Sequence, residues 1–131
     1  MKKMNNKGFS LVELIIVIAI MAILIGVLAP QYIKYVEKSR VSADEDTADA
    51  LKNAAMTATT DEEYIDSISA QIIQFSNGGV SGADTGMQSA LNEYFAKWTD
   101  AKIKSKSYKN SVYKISVYYD ANSALKVQAS W

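Results

Sequence analysis

An uncharged apolar stretch near the start of the chain constrains the fold more than any other feature. Residues 14–29 comprise sixteen residues without a charged side chain. As an α-helix, residues 9–29 would extend for about 32 Å, which matches a bilayer hydrocarbon core of about 30 Å. The sequence therefore predicts a helix that spans a membrane once, with Lys2, Lys3 and Lys7 on the cytoplasmic side.

A secretory signal peptide is the ordinary alternative for a basic start followed by an apolar stretch. Such a peptide ends in a small-residue cleavage site, whereas Ala29 is followed by Pro30 and the helical pattern continues past it. If a protease cuts this segment, the favoured position is between Gly8 and Phe9. The apolar helix would then remain on the mature protein.

Glu13 is an acid near the start of the apolar helix, with no basic residue inside that helix to neutralise it. A carboxylate near the centre of a bilayer costs about 2.5–3.5 kcal/mol, and less near the interface. Cleavage before Phe9 would free an amine one helical turn from Glu13, and a charge pair at ~4 Å is worth about 4 kcal/mol at an effective dielectric of about 20. The amine comes from the same chain or from a neighbour. Alternatively, Glu13 simply extends to the membrane edge.

Five residues in a fixed order carry a family resemblance: Lys7, Gly8, Phe9, Glu13 and Pro30, within KGFSLVELIIVIAIMAILIGVLAPQY. This stretch, over about residues 7–40, resembles the start of a type IV prepilin. The resemblance implies that a dedicated prepilin peptidase, an aspartate protease, cuts after Gly8 and methylates Phe9. It also implies that Glu13 aligns subunits during assembly.

The resemblance and the sequence patterns together predict an α+β fold. A long N-terminal α-helix spans the membrane with its first half, and its second half packs on a small head of further helices and a C-terminal antiparallel sheet. The predicted regions are a leader over residues 1–8, a transmembrane and assembly helix over 9–30, an amphipathic continuation over 31–59, and a globular head over 60–131.

Gly26 and Pro30 mark a weak point in the long helix. Proline lacks a backbone N–H and its ring crowds the carbonyl of Gly26, which inside a helix costs about 3 kcal/mol or produces a kink. The helix is therefore expected to bend or loosen between these two residues. The resemblance adds that this stretch melts inside the filament, and a plain kink is the alternative.

Residues 31–59 carry one apolar and one charged face at helical spacing. The apolar face comprises Ile33, Val36, Val41, Ala48, Leu51, Ala55 and Ala58. The charged face comprises Glu37, Lys38, Arg40, Asp44, Glu45, Asp46 and Asp49. We interpret the acidic run from Asp44 to Asp49 as a solvated face rather than a calcium site, because helical geometry spreads its carboxylates around the axis.

Two further helices are predicted in the head. Thr60 and Glu63 fit a capping box, and the helix after it would carry Tyr64, Ile65, Ile68, Ile72 and Phe75 near one face. Asn77-Gly78-Gly79 would end this helix, and residues 80–86 would form a loop that lacks the lysine of a phosphate-binding loop. The last helix would carry Met87, Leu91, Tyr94 and Trp98.

Alternating residues predict antiparallel strands at the C-terminal end. Residues 112–119 alternate in part, residues 120–123 form a turn, and Leu125, Val127 and Ala129 form the apolar face of the partner strand. Residues 101–106 would add an edge strand whose lysines discourage pairing with stray strands. A less favoured interpretation is a strip that binds DNA, formed by Lys102, Lys104, Lys106 and Lys109.

Composition excludes several classes of active site. The chain has no cysteine and no histidine, which rules out disulfides, thiolate zinc sites, cysteine nucleophiles and Ser-His-Asp catalysis. Fourteen basic residues balance fourteen acidic ones, so no net field draws the chain toward nucleic acid or anionic lipid. We therefore expect no catalysis and no cofactor. Composition leaves open a calcium site made of carboxylates alone, but the helical spacing of the acids disfavours it, so we expect no metal site.

The resemblance implies a structural subunit that is inserted in the cytoplasmic membrane and then assembled into a pilus at the cell surface. The implied partners are copies of the chain, other pilins, the prepilin peptidase and an assembly ATPase with its membrane platform. Two alternatives lie in the same class: a pseudopilin of a type II secretion-like system, which a calcium site would favour, and a competence pilin, which DNA binding would favour. A membrane-anchored enzyme or binding protein that only imitates a prepilin is the third.

Overall fold

A computed structural model describes residues 8–131, so the predicted leader lies, apart from Gly8, outside the described residues. The helices are α1 (Leu11–Ala58) and α2 (Thr85–Tyr94), with single 3-10 turns at Ile65–Ser67 and Trp98–Asp100. The strands are β1 (Gln71–Ser76), β2 (Gly79–Ser81), β3 (Tyr113–Tyr119) and β4 (Leu125–Ser130). The chain divides into two compact units, one ending at Val36 and the other spanning Glu37–Trp131.

The long N-terminal helix is confirmed, and it ends at Ala58, close to the predicted end. Both Gly26 and Pro30 lie inside α1, so the stretch between them is helical in this subunit. Its melting in a filament stays a prediction. The apolar face predicted for residues 31–59 is buried from Ala48 onward, whereas Val36 and Val41 are half-buried and Ile33 is exposed.

The four strands form one antiparallel sheet in the order β2-β1-β3-β4. Ile73 of β1 lies opposite Ile115 of β3, and Val117 of β3 lies opposite Val127 of β4. The predicted turn over residues 120–123 joins β3 to β4, as expected, with Ser123 in the left-handed region at a φ of 60°. The α+β class and the C-terminal hairpin are therefore confirmed.

One apolar core holds the Glu37–Trp131 unit together. It combines the second half of α1, the inner face of the sheet and α2. The largest fully buried apolar side chains are those of Phe75, Leu51, Ile73, Met87, Leu91 and Ile115. Complete burial of side chains of this size stabilises a fold by about 1.5–3 kcal/mol each, so this cluster is the main source of the head's stability.

The prediction of a second helix after Thr60 is wrong. Residues 71–76 form β1, because Ile73 and Phe75 are buried and alternate with exposed Ile72 and Gln74, which is the period of a strand. Thr60 does not cap a new helix, since its hydroxyl donates to the carbonyls of the last turn of α1. The Asn77-Gly78 pair forms the turn between β1 and β2 rather than a helix end.

The boundaries of the last predicted helix also differ. α2 ends at Tyr94, and Trp98 lies in a separate 3-10 turn. The helix begins inside the stretch that was predicted as a loop, because the side chain of Asp84 caps it by accepting the backbone N–H of Met87 at 2.8 Å. The rest of that stretch includes β2.

The edge strand predicted over residues 101–106 is absent, although its alternating burial is present. Ala101, Ile103 and Ser105 are buried and the lysines between them are exposed. A single backbone bond reaches a strand, from Ile103 to the carbonyl of Ser76 in β1. No ladder follows, because the next four N–H groups, those of residues 104–107, donate to carboxylates on α1.

Gly82 links β2 to α2 in a backbone conformation that favours glycine. Its φ is +87°, and a Cβ at this position would collide with the carbonyl oxygen of Ile72. Gly78 provides a contrast, since a Cβ there would meet only the hydroxyl of Ser76 at 3.6 Å, an ordinary contact distance. The two glycines therefore differ in whether they tolerate a side chain.

Gly82→Ala is expected to lower the free energy of unfolding by about 1–3 kcal/mol, because strain at positive φ adds to the backbone collision. Gly78→Ala is the matched control and should change it by less than about 1 kcal/mol. Urea unfolding of the detergent-solubilised full chain, followed by the fluorescence of Trp98 and Trp131, measures both. Equal losses for the two variants would contradict this account.

Candidate functional site

The N-terminus of α1 is closed by a reciprocal pair of hydrogen bonds between Ser10 and Glu13. The backbone N–H of Ser10 donates to Glu13 Oε2 at 3.0 Å, and the backbone N–H of Glu13 donates to Ser10 Oγ at 3.2 Å. This is a capping box, and the negative charge in the first turn also suits the helix dipole. The sequence analysis missed it, although the Ser-x-x-Glu spacing was available.

The predicted processing residues lie next to this cap. Gly8 and Phe9 precede α1, and the side chain of Phe9 is 90% exposed. Within residues 8–131, Glu13 uses only one carboxylate oxygen, for the N–H of Ser10. A further donor near Phe9 therefore finds a carboxylate that is already fixed in place. Gly26 and Pro30 lie further along α1 and are not part of this cluster.

The first part of α1 exposes apolar side chains on every face. Fourteen large apolar residues from Leu11 to Leu28 each leave between 48% and 73% of their surface exposed. A helix that is apolar all round requires burial in a membrane or among other helices. By length and composition α1 is able to cross a membrane. This segment therefore has the surface of a helix that is buried in a membrane or in an assembly, not of one that faces water.

The acidic face of α1 is not simply solvated, which corrects the interpretation of the run from Asp44 to Asp49. Asp44 is only 2% exposed. Its two carboxylate oxygens accept the backbone N–H groups of Lys104 at 2.9 Å and Ser105 at 2.8 Å. The carboxylate is thus a structural acceptor in the head.

Glu37 extends the same arrangement two helical turns earlier. One of its oxygens accepts the backbone N–H groups of Lys106 at 2.6 Å and Ser107 at 3.0 Å. Two carboxylates seven residues apart on α1 therefore bind four consecutive backbone N–H groups. These bonds take the place of a strand ladder, and the chain bends at Lys106 into the turn of residues 107–110 rather than joining the sheet.

Tyr108 anchors the end of this segment. Its hydroxyl donates to Glu45 of α1 at 2.8 Å, and its backbone N–H donates to the hydroxyl of Ser105 at 3.3 Å. The ring stacks on Trp131, with the ring centres 4.0 Å apart and the planes 7° from parallel. We call residues 104–108, held by Glu37, Asp44, Glu45 and Trp131, the docked segment.

The docked segment perturbs the acid that holds it. The pKa of Glu37 lies below the ordinary value of 4.5, first because the backbone N–H of Ser107 donates to its carboxylate. Partial desolvation opposes this effect, and the N–H of Lys106 and the charge of Arg40 add to it. The ionised form of Glu37 is therefore the form that the folded head binds.

No group of three or more acids suited to hold a metal ion occurs within residues 8–131. The carboxylates that invited a calcium interpretation are separated by their contacts. Asp44 points into the docked segment and Glu45 accepts from Tyr108. Ligand convergence, which calcium requires, is not found in this part of the chain.

The family profile described as the prokaryotic N-terminal methylation motif matches residues 3–29. A Fimbrial protein of Pseudomonas aeruginosa is 37% identical over 74 residues, which cover 56% of this chain and 48% of that protein. A Type IV major fimbrial protein FimA of Dichelobacter nodosus is 38% identical over 64 residues, covering 49% of this chain and 40% of that relative. This chain thus spans about half the length of these relatives or less.

The Type IV narrow pilus major component PilA5 of Thermus thermophilus is 30% identical over 80 residues, which cover 61% of this chain and 69% of that protein. No solved structure gave a significant match. The long helix, the methylation motif at its start and this coverage establish that the chain belongs to the type IV pilin family.

Asp44→Asn is expected to lower the free energy of unfolding by about 1–3 kcal/mol. An asparagine oxygen accepts one backbone N–H, but the amide NH₂ faces the second N–H and leaves a buried donor unsatisfied. Asp46→Asn is the matched control, because Asp46 is exposed on the same helix. Urea unfolding of the full chain in detergent measures both, and equal effects would remove the special role of Asp44.

The docked segment should loosen in acid. Because the folded-state pKa of Glu37 is below its unfolded value, its stabilising contribution is complete above the unfolded value and is lost as the pH falls through the folded one. Amide hydrogen exchange at Lys106 and Ser107, corrected for intrinsic rates, should therefore accelerate over that range. Glu37→Gln keeps an oxygen that accepts both N–H groups but does not titrate, so its exchange at these amides should not accelerate over that range. A wild-type pH profile in Glu37→Gln would contradict the assignment.

Proposed function

We propose that this chain is a structural subunit of a type IV pilus-like filament, assembled through the first half of α1. The observation that carries the proposal is the exposed, all-round apolar surface of α1 from Leu11 to Leu28, directly after the methylation motif. Bundling such helices from many copies buries this surface without a membrane. The names of the relatives, which are fimbrial proteins and a pilus component, favour a pilus over a pseudopilus.

Processing supplies the charge that Glu13 needs. In this proposal a prepilin peptidase removes residues 1–8, and the new amine of Phe9 is methylated. Glu13 is already oriented by its cap with Ser10 and keeps a second oxygen for an ammonium group. A pair at ~4 Å is worth about 4 kcal/mol at an effective dielectric of about 20, which offsets the cost of an acid in an apolar bundle. An amine from a neighbouring copy sets the axial register.

The rest of the chain follows from this role. Residues 9–30 form the stem, residues 31–59 continue it, and residues 60–131 form the head. Before assembly the stem crosses the cytoplasmic membrane once, and an assembly ATPase with its membrane platform moves the subunit into the cell-surface filament. The family is structural, and the absence of histidine and cysteine supports a role without catalysis or a cofactor.

Glu13→Gln separates the charge from the cap. The amide oxygen of glutamine still accepts the N–H of Ser10, so the start of α1 is preserved while the charge is removed. We expect the precursor to be cut normally, with the mature mass showing loss of residues 1–8 and gain of one methyl group. Filaments sheared from the cells should fall about tenfold or more, because the charge pair is lost.

Ser10→Ala is the complementary control. It removes the hydroxyl that caps the N–H of Glu13 but leaves the carboxylate, so filaments should form at near wild-type yield. If Ser10→Ala, which keeps the charge, loses filaments as strongly as Glu13→Gln, the charge of Glu13 is not what assembly depends on and the register mechanism is wrong. If mature wild-type protein keeps residues 1–8, or if no filaments contain it, the pilus proposal is wrong.

A further inference from the structure

The head carries lysines whose charge the fold does not use. We call Lys102, Lys104, Lys106 and Lys109 the lysine ribbon; all four are exposed. The one ion pair within residues 8–131 joins Lys126 to Asp120 at 4.0 Å, so the ribbon has no carboxylate partner there. Protection of a sheet edge does not explain these lysines, because the segment is not an edge strand.

The ribbon is held in one conformation by contacts that do not involve its ammonium groups. The backbone N–H groups of Lys104 and Lys106 bond to Asp44 and Glu37. Burial alternates along residues 101–106, so the lysine side chains point away from the core. Lys102 and Lys104 lie on an extended stretch, in which alternate residues are about 7 Å apart, and Lys106 and Lys109 lie at the bend and turn that follow it. The fold therefore presents a fixed row of positive charges, which reduces the entropy lost on binding.

A second surface of the head carries the opposite charge. We call Glu62, Glu63, Asp66 and Glu93 the acidic patch; all four are exposed. Two tyrosine side chains bond acids in and beside it, since Tyr64 donates to Glu93 at 2.6 Å and Tyr94 donates to Asp61. The two tyrosine rings also meet edge to face, with their centres 6.2 Å apart.

The acids beside the two tyrosines raise the pKa values of their hydroxyls. The pKa of Tyr94 is raised to about 12, first by its hydrogen bond to Asp61, then by desolvation and by the charges of Asp61, Glu93 and Glu63. The pKa of Tyr64 is raised as well, first by its hydrogen bond to Glu93 and then by desolvation and neighbouring charges. Every carboxylate that contributes is uncompensated by a cation within residues 8–131.

We propose that the lysine ribbon of one copy docks on the acidic patch of a second copy. Four unpaired lysines match four unpaired carboxylates in a chain whose net charge is zero, so complementary surfaces attract without overall repulsion between copies. This inference rests on the proposed filament function, which brings many copies together, and it names the contact between their heads.

Charge reversal on each surface, alone and combined, tests the contact. Lys104→Glu with Lys106→Glu, and separately Glu62→Lys with Glu63→Lys, should each lower the yield of sheared filaments about tenfold, because like charges then face each other. The combination of all four changes should restore the yield at least partly. Lys97→Glu with Lys114→Glu is the control of equal charge, since both lysines are exposed outside the ribbon, and it should keep the wild-type yield.

The amount of processed subunit in the membrane fraction separates loss of assembly from loss of folding. If wild-type cells make filaments and neither reversal lowers their yield, the docking inference fails while the filament function stands. If wild-type cells make none, the filament function fails. A lowered yield that the combined variant does not restore also overturns the inference. If the ribbon variant keeps the wild-type filament yield but its filaments no longer bind DNA, the inference is also overturned and the ribbon is a nucleic-acid-binding surface.

A cysteine pair gives a second measurement that does not depend on charge reversal. The chain has no cysteine, so Lys106→Cys with Glu63→Cys introduces the only thiols. Oxidation of filaments should then give a ladder of linked subunits on a non-reducing gel, whereas either single variant should give no species larger than a dimer. Absence of the ladder in filaments that carry both cysteines would overturn the proposed contact.

Discussion

Asp44 and Glu37 fix the segment that leads from α2 into β3. Each carboxylate accepts two backbone N–H groups, and the four donors are consecutive along the chain. The partners are 60 to 70 residues apart in sequence, so these bonds join the long helix to the C-terminal half of the head. With the apolar core beneath it, this contact determines the position of Tyr108 and the direction of the lysine side chains.

The same contact explains two linked errors of the sequence-based prediction. The alternation of Ala101, Ile103 and Ser105 with lysines was interpreted as a strand, and the acids of α1 were interpreted as solvated. The alternating burial and the acidic run are both present in the structure, but the two stretches bond to each other. The segment requires acceptors for its N–H groups, and a buried carboxylate requires donors. Nothing local in either stretch indicates its partner.

Local signals were reliable elsewhere. The apolar stem, the end of α1 and the β3–β4 hairpin followed from composition, helical spacing and turn residues. β1 did not, because Ile68, Ile72 and Phe75 fit a helical spacing as well as Ile73 and Phe75 fit a strand, and only pairing with β3 decides between them. The cap between Ser10 and Glu13 is a local signal, because a serine three residues before a glutamate at the start of a helix predicts this pair of hydrogen bonds.

Anchoring through the main chain has a consequence for how such surfaces diversify. Every amino acid except proline supplies a backbone N–H, so the carboxylates on α1 hold positions 104 and 106 through the main chain and not through the side chains there. At the exposed positions 104 and 106, the choice of side chain therefore does not affect the bonds that hold the segment. Descendants of this gene are free to exchange basic, acidic or neutral side chains there, and so to change what the surface recognises, without rebuilding the scaffold.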